Sequence, residues 1–97
     1  MSTDTATQTK TELKMPSMWK VLMINDDYTP MDFVISILMQ VFHKSEEEAN
    51  DLTMTIHVKG RANVGLFTKE IALTKVFQCD RIASAAGHPL KTEAEEA

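Results

Sequence analysis

The sequence predicts an α+β fold: a small, mostly antiparallel three-stranded sheet packed against three helices, in the order β-α-α-β-α-β. Three observations carry this. A short apolar run, MWKVLMI at 18–24, stops abruptly at Asn25, Asp26 and Asp27. Three later segments repeat their apolar residues every three or four positions, and each opens on a capping signal. Two further short stretches, ANVGLF at 62–67 and LKTEAE near the end, have strand length and are bounded by glycine or proline signals.

Residues 1–16 are polar and threonine-rich, with little to bury, and read as a flexible tail before a core expected over 17–95. The run at 18–24 is partly β-branched and reads as a buried strand. In TPMD, Thr29 suits a helix N-cap, Pro30 the first turn, and Asp32 a capping-box-like position at the positive end of the helix dipole. Phe33, Val34, Ile37, Leu38, Val41 and Phe42 then form one apolar stripe. SEEE at 45–48 is a second capping box, opening a helix through Ala49, Leu52 and Ile56, with Lys59-Gly60 as its C-terminal cap. Gly65 within ANVGLF suggests a close backbone approach. Thr68 caps a third helix, along which Ala72, Val76, Cys79, Ala83 and Ala86 recur; Gly87 ends it and Pro89 prevents its continuation. LKTEAE supplies a last edge strand.

A chain of 97 residues has room for one domain. Its 43% hydrophobic and 25% charged content excludes fibrous or wholly disordered classes. A formal charge of -4 argues against a nucleic-acid partner, which would want a basic face. The single cysteine cannot form an internal disulfide and fits a reducing cytoplasm. No apolar run reaches the roughly 18 residues of a membrane helix, and the first residues lack the apolar stretch of a signal peptide. A cytoplasmic location without a membrane partner is therefore expected.

Little points to catalysis. The three glycines do not cluster into a phosphate loop. Cys79 lies on an apolar helix face, where a buried small hydrophobe is the expected role. Asp26, Asp27, Asp32, His43 and His57 have metal-ligand chemistry, but NDDYTPMDFVIS lacks the Gly and Glu of a calcium loop and no histidines are closely spaced. No catalytic residue, metal or cofactor is assigned, and His88 reads as a loop residue with no role. A turn and a helix cap explain Thr29, Pro30 and Asp32. They leave Asn25, Asp26, Asp27 and Met31 without a purpose, and His57, one turn after Thr53 on the same helix face, stands with them.

NDDYTPMDFV, TIHVKG, GLFTKEIALTK and GHPLK, in that order and with compatible spacing from about Pro16 to Leu90, closely resemble the ClpS family. These bacterial adaptors deliver N-degron substrates to the ClpAP protease. The resemblance implies a peptide-binding adaptor, not an enzyme. It assigns Asn25, Asp26, Asp27 and His57 to the substrate's free α-amino group. It assigns Met23, Thr29, Met31, Thr53, Ile56 and Leu90 to a hydrophobic pocket for a bulky first residue (Phe, Tyr, Trp or Leu). Val34, Glu70 and Lys75 are assigned to the face meeting the N-terminal domain of the ClpA unfoldase.

The chemistry of these residues agrees. A protein α-amino group has a reference pKa of about 7.7–8.0 and is mostly cationic at neutral pH. It needs acceptors: an amide carbonyl, carboxylates, and an imidazole with one bare nitrogen. An interior peptide bond offers one N–H and no charge. A charge-assisted hydrogen bond contributes about 1.5–3 kcal/mol and burial of a large apolar side chain a similar amount. Together they reach the micromolar range, so the readout is conjunctive. An accepting imidazole must be neutral, so binding is expected to weaken in mild acid.

The chain departs from the common family pattern at Thr53, where a pocket methionine is usual. Met54 is one helical step, about 100°, away and cannot take its place. A roomier and more polar pocket wall, as in a divergent ClpS paralogue, is expected to alter the ranking of first residues, while Met31 resembles the gatekeeper that excludes Val and Ile. Two other classes stay open on the residues: a regulatory domain that docks on an AAA+ unfoldase without reading N-termini, and a metal-dependent enzyme.

Overall fold

The structure, a computed structural model, describes residues 17–97. The elements run β1 (Met18–Ile24), α1 (Met31–Gln40), α2 (Glu46–Lys59), β2 (Arg61–Thr68), α3 (Lys69–Ala86) and β3 (Lys91–Glu96), the predicted order. The expected tail at 1–16 lies outside the described residues. All strand pairs are antiparallel, in the spatial order β2-β1-β3, so β3 is an edge strand as expected.

β1 takes the centre because it can be buried on both sides. Val21 and Met23 are fully buried and face the helices, while Leu22 between them faces the other way and stands apart from the main core. That second face is salted by Lys20 with Glu95 at 3.3 Å and Lys91 with Glu93 at 3.4 Å. The helices cover the first face. Val34, Ile37, Leu38, Val41 and Phe42 come from α1 and its end, and Ala49 and Ile56 from α2. Ala72, Cys79 and Ala83 come from α3, where small side chains let the helix lie close to the sheet.

The β1–β2 register slips once: Val21 pairs with Gly65 but Leu22 with Asn63, leaving Val64 as an extra, buried residue. The Gly65 N–H donates to the Asn63 side-chain oxygen at 3.0 Å and closes this bulge. The close approach foreseen at Gly65 is the Phe67 ring, which would stand 2.5 Å from a Cβ there.

Helix ends divide into foreseen and unforeseen. The Ser45–Glu48 capping box is complete, with bonds of 3.1 and 2.9 Å. Gly60 and Gly87 end α2 and α3 with φ of 93° and 77°. Thr68 stands at the N-cap of α3, but its side chain makes no capping bond. At α1 the expectation is corrected. Pro30, not Thr29, occupies the N-cap position, and no side chain caps the helix there. The Thr29 hydroxyl instead donates to Asp26 at 2.8 Å, an interaction within the loop and not a cap on α1. The other end of α1 turns on His43, a non-glycine residue at φ 57°, with the Lys44 N–H donating to the Leu38 carbonyl at 3.1 Å.

Candidate functional site

The loop from Asn25 to Pro30 leaves the end of the central strand. Its first residue is tied to the end of α2: the Asn25 N–H donates to the Gly60 carbonyl at 2.9 Å. Ile24 pairs with Arg61 just before it. His57 lies in the last turn of the same helix, three residues before Gly60. A helix end and a strand end thus bring Asn25, Asp26, Asp27 and His57 to one edge of the molecule.

Asp26 organises the loop. One carboxylate oxygen accepts from the Tyr28 N–H at 2.8 Å and the Thr29 N–H at 2.7 Å, and the other from the Thr29 hydroxyl at 2.8 Å. Partial burial works to raise its pKa, but the Thr29 hydroxyl, the Thr29 and Tyr28 amides and the charge of His88 outweigh it, and the net shift is downward. Asp26 is therefore a carboxylate held in place, with part of its acceptor capacity still free on the oxygen that takes one bond. Asn25, Asp27 and His57 are exposed. Among the described residues their side chains make no hydrogen bond or salt bridge.

His88, given no role from the sequence, belongs to this neighbourhood. Its ring meets Phe33 edge to face with centroids 4.5 Å apart, and its charge acts on Asp26. Its place next to Pro89, in the connection from α3 to β3, was the available signal, since a chain returning to the sheet there passes the start of α1.

The residues assigned to an apolar pocket differ in exposure. Thr29 is half-buried, and Met31, the first residue of α1, is 40% exposed at the surface. Met23, Ile56 and Leu90 belong to the core at 0%, 3% and 7% exposure, and Thr53 on α2 is buried at 3%. No open cavity is present among the described residues. Met31 and Met23 are unbranched and flexible, the side chains best able to move aside for an apolar group.

The residues assigned to a partner face separate. Glu70 is exposed in the first turn of α3. Val34 is 6% exposed and packed in the core, so its side chain is not on the surface. Lys75 is half-buried, with its ammonium donating to the Val41 carbonyl at 2.7 Å and standing 5.8 Å from the centre of the Phe67 ring. Cys79 is 1% exposed. Burial, with Asp80 adding and Lys75 opposing, pushes its thiol up to about 12, which leaves no thiolate nucleophile at neutral pH. Among the described residues no three His, Cys, Asp or Glu side chains are grouped so that they could hold a metal ion, and no helix is long and apolar enough to cross a membrane.

Comparison with known proteins gives a consistent result. The family described as "ATP-dependent Clp protease adaptor protein ClpS" matches residues 14–93. The ATP-dependent Clp protease adapter protein ClpS of Deinococcus radiodurans is 46% identical over 91 residues, covering 94% of this chain and 80% of that one. Its counterpart in Ralstonia nicotianae is 51% identical over 85 residues, covering 88% and 79%. The solved structure of Agrobacterium tumefaciens ClpS2 bound to L-phenylalaninamide superposes with a TM-score of 0.83 at 37% identity, over 86% of this chain and 100% of that one.

Proposed function

Because this chain belongs to the ClpS family of ATP-dependent Clp protease adaptors, we propose that it reads the free α-amino group and bulky hydrophobic first residue of N-degron substrates and delivers them to the ClpA unfoldase of ClpAP. An adaptor of this kind carries out no chemistry itself; its work is selection and transfer.

The observation that carries the reading is the Asn25–Gly60 backbone bond at 2.9 Å. It holds the Asn25–Asp27 loop against the turn of α2 that bears His57. An ammonium at this edge would find the Asn25 carbonyl group, the Asp26 and Asp27 charges and the His57 imidazole as acceptors. Asp26 is fixed by its own turn, so its charge is available without reorganisation. An acetylated terminus has no charge and fewer donors, and a site of acceptors rejects it. L-phenylalaninamide, the molecule bound by the Agrobacterium protein, is a free α-amino group beside a benzyl side chain, which is the combination this reading requires. The first side chain would displace Met31 and pack on Met23, Ile56, Leu90 and Thr53.

For docking on the N-terminal domain of ClpA, Glu70 supplies an exposed charge. Leu73 and Phe77, three and seven residues on, are 48% and 59% exposed and continue that helix face. Lys75 supports the same region through its bond to the end of α1.

The deciding experiment titrates a fluorescent peptide beginning with Phe, its acetylated twin, and the Asp26→Ala protein. The expected outcome is micromolar binding of the free peptide only, weakened at least tenfold in Asp26→Ala. Binding that is indifferent to both acetylation and Asp26→Ala would instead support a docking domain that does not read N-termini.

A further inference from the structure

We propose that the Thr53 hydroxyl biases this site toward first residues whose side chain ends in a hydrogen-bonding group, tyrosine and tryptophan, over phenylalanine and leucine. The inference rests on the α-amino reading above and gives that site a direction of preference.

Thr53 is 3% exposed, and its hydroxyl has no hydrogen-bond partner. A helical threonine has a ready outlet, the carbonyl four residues back. Thr55 uses it, donating to Asp51 at 3.0 Å, and Thr74 does so too, donating to Glu70 at 2.9 Å. For Thr53 the equivalent acceptor is Ala49, and that bond is not made. Its donor and acceptor capacity are both open, on a helix face whose other buried members, Ala49 and Ile56, are apolar. Buried polar groups are ordinarily paired, so an open hydroxyl here calls for a partner from outside the chain.

Its place in the helix says which part of a ligand would reach it. Thr53 lies one turn before His57, about 6 Å along the axis and on nearly the same face. His57 is at the surface and Thr53 is inside. A residue whose amine is held at the level of His57, with its side chain turned inward, spans that distance with a phenol or indole ring but not with an isobutyl group. The tyrosine hydroxyl can donate to or accept from Thr53, and the indole N–H can donate to it. Phenylalanine fills the same space and leaves the Thr53 hydroxyl as unpaired as in the free protein. In surroundings from which water is excluded, the added neutral hydrogen bond corresponds to about a five- to tenfold preference.

The test measures dissociation constants for four peptides, identical except for Tyr, Trp, Phe or Leu at position one, with an acetylated Tyr peptide as control. The proteins are the wild type, Thr53→Val and Thr53→Ser. The expected result is a Tyr-over-Phe preference of about five- to tenfold in the wild type, kept by Thr53→Ser and reduced to near unity by Thr53→Val, which removes the hydroxyl and keeps the branch. A Tyr/Phe ratio that Thr53→Val leaves unchanged overturns the inference alone. So does a ratio that both variants abolish, since that traces the preference to shape. Equal binding of free and acetylated Tyr peptides overturns the α-amino reading and the inference with it.

Discussion

Lys75 reaches from α3 to the end of α1 and donates its ammonium to the Val41 carbonyl at 2.7 Å. α1 has no basic residue in its own last turn, so this cation from another helix meets its negative end and one of its orphan carbonyls. Lys75→Met should lower the unfolding free energy by about 1–2 kcal/mol in urea denaturation, the range of a partly exposed charge-assisted bond. Glu70→Ala, on an exposed side chain with no such bond, should leave stability within about 0.5 kcal/mol. If both variants weaken ClpA binding, only Lys75→Met does so with a loss of stability, and comparing the two separates docking from support.

Asp26 and Thr29 predict a pH effect with a definite sign. The Asp26 pKa is held below its ordinary 3.8, so its turn contributes stability above that pH and loses it as pH falls below 3.8 through the folded-state value. Thr29→Val removes the hydroxyl donor and should move the Asp26 titration back up toward 3.8, as followed by the carboxyl carbon in NMR. An unmoved titration would show that the two backbone amides hold the carboxylate without the hydroxyl.

His43 ends α1 in a left-handed conformation that costs a side chain about 1–2 kcal/mol. Glycine removes this penalty but adds freedom to the unfolded chain. His43→Gly should therefore raise stability by about 0.5–1 kcal/mol, measured as a shift in denaturation midpoint with unchanged slope.

Cys79 should be silent in the folded protein. With its thiol raised from 9.0 to about 12, folding retains this contribution below pH 9 and loses it progressively as pH rises toward 12. At neutral pH, alkylation should proceed only through opening of the core, so its rate should track stability across the variants above. Rapid labelling of the wild type, at a rate independent of denaturant, would contradict this.

The elements were legible because their signals are short-range. The MWKVLMI strand, the Ser45–Glu48 box and the glycine stops at 60 and 87 each rest on backbone periodicity or on bonds spanning a few residues, and the structure has them at their expected positions. The capping reading at Thr29 failed for a related reason. Asp26, three residues back, accepts the proton of the hydroxyl whose oxygen a local pattern assigned to the first helical N–H groups.

The site divides along the same line. The polar loop and its likeness to a family could be read from residue types and spacing, since three polar residues directly after an apolar strand are a short, local signal. The Val64 bulge, the nearness of His88 to Asp26, the grip of Lys75 on Val41, the burial of Val34 and the unpaired hydroxyl of Thr53 could not. Each depends on which distant segments pack together, 34 residues apart in the case of Lys75 and Val41. One sequence specifies such contacts through the summed packing of its core, and no local pattern carries them.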